Sequence, residues 1–434
     1  MRIKRIVFTL LMVILGASAV TSQQKSPRTP QNIPYKFETE PRAILSQGNE
    51  LTAKHPKLFL RIATLNMLAV YKTQSGNSQL GLAVSNDGGD SFEPPVMISE
   101  ANANVHSHGE NSPNFAVKGI EFYTIWEQSR EEGGTDLMFA RSLKFGRKFD
   151  KPLRLTDKTL PSTNGFSHLA VAPNGDIYAV WLDGRDTRTT TAPGTLAVYM
   201  TKSTDKGATF GKNIQVTPSA CPCCRPSLAF GTGGEVFVSW RHVFADNIRD
   251  IVVAASLDNG ASFNKPVRAA VDNWQISGCP DTGAMMQMKG SRLYITWHSE
   301  GEGTNAGIRV AWSDDGGKTF AKPLLASGKV LDTNHPAFSL SEDGRMLAVF
   351  QGRDAAEKEG WGAVRAYVVE VNDNGTISQP VAVTGNKKSV LYPTIAAGTV
   401  GRVFVAWTES TEKGANVFLS RGRREFPDQE SKRP

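Results

Sequence analysis

The chain has 434 residues, with 49 Lys/Arg against 42 Asp/Glu, and its formal charge of +7 falls to about +4 without the three basic residues at its start. The remaining excess is scattered, with no Lys/Arg run interleaved with aromatics, which argues against a nucleic-acid partner. After the leader, no apolar stretch reaches the ~20 residues that a spanning helix needs.

Residues 1–19 read as a signal peptide: Arg2, Lys4 and Arg5 form a basic n-region, Ile6 to Leu15 is apolar, and Ala17-Ser18-Ala19 is a small-x-small cleavage site. No cysteine stands there to take a lipid anchor, so a soluble protein of the periplasm or the medium is expected. Residues 20–35 are polar and Pro-containing, a flexible lead-in. The segment 36–426 is expected to be one domain, followed by a polar tail at 427–434.

Within that domain a short apolar strand ending in an aromatic recurs seven times: at 67–71, 122–126, 177–181, 236–240, 293–297, 346–350 and 403–407. These runs are β-branched and aromatic, as in Ile177-Tyr178-Ala179-Val180-Trp181, and are bounded by Gly, Asn or polar residues. A strand that often opens with proline (Pro56, Pro113, Pro226, Pro336, Pro393) precedes each, where the missing N–H costs no ladder bond. A third and a short fourth strand complete each unit, giving four antiparallel strands, here A to D. The period predicts an all-β fold, a single β-propeller of seven four-stranded blades, with six as the alternative count. The last unit lacks a fourth strand, and Lys36 to Leu45 can supply it and close the ring.

Four of the turns after strand C fit Ser-x-Asp-x-Gly-x-(Ser/Thr)-Phe: Ser85 to Phe92, Ser203 to Phe210, Ser256 to Phe263 and Ser313 to Phe320. Asp can accept backbone N–H bonds there and Gly can take positive φ, a structural role. The terminal Phe is expected to pack between the third and fourth strands.

These turns match the Asp-box, or BNR repeat, and over residues 55 to 421 the chain resembles the sialidase-like propeller superfamily. Glycosidases, sugar binders and structural proteins all carry such boxes, so the resemblance implies the fold more than an activity. For members with sialidase activity it implies three arginines on a carboxylate, a Tyr activated by a Glu, and an Asp acid/base. By topology the counterparts here are Arg241 and Arg353, with Arg185 in a similar connection, Tyr392 paired with Glu127 or Glu409, and Asp183. The family's early Arg-Ile-Pro is only echoed by Arg61-Ile62-Ala63, at the far end of its strand.

In this topology the D–A and B–C connections share one face, and the Asp-boxes occupy the other. His55, His106, His108 and His335 fall in D–A connections, His168 opens an A strand, and His242 and His298 follow Trp240 and Trp297. The four cysteines gather there too: Cys221, Cys223 and Cys224 in one loop, Cys279 in the equivalent loop one blade later. One reading is a disulfide from Cys279 to one of the first three, favoured by export. A second is a soft-metal or redox site, with copper or zinc the expected ion, since thiolates, thioethers and imidazoles suit both. Met285, Met286 and Met288 follow Cys279, and His242 and His298 stand on the same two blades. A third is reactive surface thiols. The His-x-His-x-Glu run at His106, His108 and Glu110 can supply metal ligands or an acid/base pair, or be no more than a hydrated loop. Asp183-Gly184-Arg185-Asp186 and Gln351-Gly352-Arg353-Asp354 are near-copies, each expected to hold its turn by an Arg–Asp pair.

The function expected is binding of a glycan or other small polar ligand at the axial face, between flanking tryptophans, with glycoside hydrolysis as its catalytic form. The alternative is metal binding or redox chemistry by the Cys, His and Met residues. A monomer is expected.

Overall fold

The structure is a computed structural model and describes residues 35–38, 41–43, 52–61, 64–157, 162–186, 194–301, 305–356, 363–385, 389–411 and 414–425. The leader, most of the lead-in and the polar tail lie outside them. The described strands form seven antiparallel sheets in chain order, each the blade of a propeller. Blade 3 shows the plan, with Asn164–Val171, Ile177–Asp183, Leu196–Ser203 and Ile214–Ala220 paired in sequence. The count is seven.

Ring closure follows the expectation from the sequence. In blade 7 the outer strand is Tyr35–Phe37, continued by Arg42–Ala43, and it pairs with the C-terminal strand Gly414–Arg424. Tyr35 faces Arg424 and Arg42 faces Leu419. Chain start and chain end thus share one sheet, leaving no open edge at the seam.

Each hydrophobic cluster lies between two neighbouring blades. Leu68, Val70 and Trp126 join blades 1 and 2, and Leu347, Val405 and Trp407 join blades 6 and 7. Met67, Ala69, Phe404 and Leu419 close the ring between blades 7 and 1. A B strand is covered on both faces, which explains why these strands read as continuous apolar runs rather than alternating ones. In blade 3 every residue from Ile177 to Asp183 is buried.

The Ser-x-Asp-x-Gly boxes hold their own turns. Ser85 Oγ donates to Asp87 Oδ1 (2.7 Å) and accepts from the Gly89 N–H (2.7 Å), while the Ser91 N–H donates to Asp87 Oδ1 (3.0 Å). The same bonds recur at Ser203, Ser256 and Ser313. The box phenylalanine departs from expectation. It reaches across to the preceding blade, as Phe210 does onto Phe139 with centroids 4.8 Å apart. The box therefore also joins blades, and Gly207 (φ 76°) has to be glycine because a Cβ there would lie 2.6 Å from that Phe139 ring.

Candidate functional site

The inner strands of all seven blades line an axial cavity of about 450 Å³, with Lys57, Asn114, His168, Arg225, Gln287, Ser339 and Thr394 on its wall. At one mouth the A strands are irregular. His55, Phe166, His335 and Tyr392 have φ of 52°, 54°, 52° and 54°. Each falls within a register shift of its strand. Three of the four precede proline, which disfavours the helical regions for the residue before it. A left-handed non-glycine residue costs roughly 1–3 kcal/mol and persists where surrounding contacts enforce it, commonly at functional sites. Blade 2 adds an inserted loop between Val105–His106 and Asn114–Lys118, both paired with Glu121–Ser129. Ser107, Glu110, Asn111 and Ser112 in that loop are polar yet buried.

These segments converge. Tyr392 lies between two imidazoles, 4.9 Å from the His55 ring and 4.6 Å from the His335 ring. His335 Nδ1 is 2.7 Å from Glu110 Oε1, and Glu110 Oε2 is 3.4 Å from Arg225. Burial would raise the Glu110 pKa, but Arg225, His335 and Lys57 overcome it and hold the carboxyl at about 2. Tyr392 is pushed up by burial, then by Asp281 and Glu110. His55 Nδ1 bonds Ser107 Oγ, and burial beside Lys54 and Lys57 depresses its pKa to about 3.

The second concentration is sulfur. Cys223 and Cys279 form a disulfide between the entry loops of blades 4 and 5. Cys221 and Cys224 are free and buried, with sulfurs 3.4 Å apart and 3.6 and 3.8 Å from Cys223. An ion bound tetrahedrally with ~2.3 Å bonds to sulfur spaces its ligands ~3.8 Å apart. The three sulfurs already have that spacing. Cys224 donates to Cys221, which with Arg241 and Arg249 outweighs burial and lowers the Cys221 pKa to about 6, while burial drives the Cys224 thiol up. Arg249 Nη1 is 3.3 Å from Cys221 Sγ. Among the described residues this is the His, Cys, Asp or Glu group compact enough for a metal ion.

No family model and no curated protein matches the sequence. A protein of unknown function from Dyadobacter fermentans superimposes with a TM-score of 0.52 at 16% identity, over 74% of this chain and 97% of that one. A Hadza microbial sialidase also matches (TM-score 0.47, 14% identity, 79% of this chain and 73% of that one). So does a puromycin-hydrolysing peptidase from Mycobacterium tuberculosis (0.49, 13%, 92% and 57%). At such identities the likeness is one of fold.

The remaining sequence candidates take other places. Arg241 is buried and gives its donors to the carbonyls of Arg249 (2.9 Å), His298 (2.9 Å) and Thr282 (3.2 Å). Arg353 pairs with Asp332 rather than its neighbour Asp354, which takes Arg365. Arg185 does hold its own turn, on Asp183, and Asp183 also accepts the Trp181 indole N–H (2.9 Å). Glu127 binds His106 (2.9 Å) and Asn111, and Glu409 accepts from Trp407 (2.8 Å), so the carboxylates acting on Tyr392 are Asp281 and Glu110 instead. Arg61 lies over Phe145, away from the mouth.

His106 and His108 face each other at 4.6 Å, but Glu110 turns inward, so the His-x-His-x-Glu run does not converge. His242 accepts from Trp240 (3.2 Å) and His298 meets Glu300 (3.2 Å), each apart from the sulfur cluster. The tryptophans at the strand ends do not flank a sugar site. Trp126, Trp181, Trp240, Trp297 and Trp407 are fully buried between blades. Four of the five donate to the residue two positions on (Gln128, Asp183, His242, Glu409), because a buried indole N–H needs an acceptor.

Proposed function

We propose that this is an exported propeller that binds a soft metal ion, Cu(I) or Zn(II), through Cys221, Cys223, Cys224 and, once the disulfide is reduced, Cys279. The observation carrying it is the mutual spacing of three buried sulfurs, all within 4.8 Å of one another. Thiolate ligation suits these two ions, and the low pKa of Cys221 favours the ligating form. Cys223 cannot serve a disulfide and a metal equally well, so occupancy is governed by redox state. Elemental analysis of the full chain should find about one ion per chain after reduction and reloading, and a small fraction of that after oxidation. Cys224→Ser should lose the ion under reducing conditions. Protein that takes up neither metal in either state would sink the proposal.

A second reading, a polar ligand at the axial mouth, is supported by the concentration of left-handed residues at His55, His335 and Tyr392. Sialidase chemistry is not favoured, because Arg241, Arg185 and Arg353 are each committed to other partners. A fluorogenic sialoside should be hydrolysed no faster by the wild type than by Arg353→Ala. Turnover that collapses in the variant would restore the hydrolase reading.

A further inference from the structure

Two cations on the wall of the axial cavity lack sufficient counter-charge. Lys57 is half-buried in the middle of the blade 1 inner strand, Ala53–Arg61, and has no hydrogen-bond or ion-pair partner among the described residues. Arg225, just before the proline that precedes the blade 4 inner strand, is buried and leaves Nε without an acceptor. Its Nη2 donates to the Met285 sulfur at 3.5 Å, a weak acceptor, and pairs with Glu110 at 3.4 Å, longer than a good N–H···O bond. The carboxylate paired with Arg225 is shared, since Glu110 already accepts from His335. From blade 3 comes a third donor. His168 Nδ1 accepts the Leu228 N–H at 2.9 Å, so its proton is on Nε2, and the ring lines the same cavity.

A half-buried ammonium facing a buried guanidinium across one cavity is unfavourable without further counter-charge, because partly desolvated like charges repel. Lys57, Arg225 and His168 are close enough to perturb one another: burial and Arg225 bring Lys57 down to about 7, and burial, Arg225 and Lys57 bring His168 down to about 3. An oxyanion among the three would accept from every one of them and relieve the repulsion between the cations.

We infer that the axial cavity is an oxyanion site, in which Lys57, Arg225 and the Nε2–H of His168 bind a phosphate-like ion or the acid group of a sugar. The site is distinct from the thiol centre and does not require it. It deepens the axial-ligand reading by naming the ligand's charge. If the ligand is a free ion, the site stands even where no glycan binds.

Calorimetric titration of the full chain, oxidised and with metal chelated, separates these cases. The probes are inorganic phosphate, glucuronate and glucose at one physiological ionic strength. Saturable 1:1 binding of phosphate alone assigns the site to a free oxyanion. Binding of glucuronate in preference to phosphate assigns it to an acidic sugar at the mouth. Lys57→Met should weaken the anion by about tenfold or more, the loss expected of one charge-assisted hydrogen bond. Lys57→Arg should retain most of it, and unfolding curves of both variants check that they fold. Glucose binding as tightly as glucuronate, no saturable binding of either anion, or full affinity in folded Lys57→Met would each overturn the assignment.

Discussion

The urea midpoint of the protein is expected to fall steeply from about pH 6.5 toward pH 4. His55 and His168 are buried and uncharged, each with a folded pKa near 3 instead of the ordinary 6.5. Burial is the main cause for both; Lys54 and Lys57 add to it at His55, and Arg225 and Lys57 at His168. Below pH 6.5 the unfolded chain takes up protons that the folded chain refuses, so stability drops as pH falls until the folded pKa is reached. At about 1.4 kcal/mol per unit, each histidine accounts for on the order of 3–5 kcal/mol over that window. Glu110 adds a later loss. Its folded pKa of about 2 against 4.5 unfolded means that stability present above pH 4.5 disappears on descent toward pH 2, roughly 3 kcal/mol. These sums rival the whole stability of an ordinary domain, ~5–15 kcal/mol. The histidine part is recognisable because it begins before carboxylates titrate. In His168→Gln the slope between pH 6.5 and 5 should be clearly shallower than in the wild type, with His55 and the burial-lowered His242 and His298 supplying what remains. A midpoint unchanged down to pH 5 would show that these histidines are hydrated after all.

The blades were legible because their signals are local. Apolar runs ending in an aromatic, proline at strand starts and the Ser-Asp-Gly turns each act within a few residues, and the closing strand near Lys36 follows from one missing partner in the last blade. The rim location of the cysteines and histidines followed from topology alone, and so did a bridge from Cys279. Pairings at the mouth were not legible, for a definable reason. Residue alternation predicts which way a side chain faces only while the register holds, and the inner strands shift register beside His55, Phe166, His335 and Tyr392. Glu110 therefore meets His335, 225 residues away, and no spacing announces it. Arg353 and Asp354 look like a local pair because Arg185 and Asp183 are one, yet their partners come from the blade's inner and third strands. The tryptophans were misread although a local signal existed: an acceptor two positions after Trp126, Trp181, Trp240 and Trp407 marks a buried indole. Lys57, Arg225 and Asp281 went unnoticed among many charges. Their position next to the proline that opens or precedes the inner strand was the cue.

Arg241→Ala is expected to be among the most destabilising single substitutions in the chain. The guanidinium lies between blades 4 and 5, bonds the carbonyls of Arg249, Thr282 and His298, and stacks over Trp274 at 4.9 Å. Truncation leaves those buried acceptors without donors, at roughly 1–3 kcal/mol each, and opens a cavity beside the indole. A loss on the order of 4–6 kcal/mol in urea unfolding follows, near the upper end for point substitutions. Arg241→Lys should recover a minor part, because one ammonium cannot span carbonyls that the planar fork reaches together. The thiol centre should respond as well. The Arg241 carbonyl accepts the Cys221 N–H at 2.8 Å, and its charge helps hold Cys221 as thiolate. Cys221 should therefore react with a thiol reagent more slowly in the alanine variant, because losing that charge raises its pKa and the thiolate is the nucleophile, under conditions where both proteins remain folded. A variant of near wild-type stability with unchanged thiol reactivity would mean that backbone and water replace the guanidinium, and that Arg241 is free for a role at the rim.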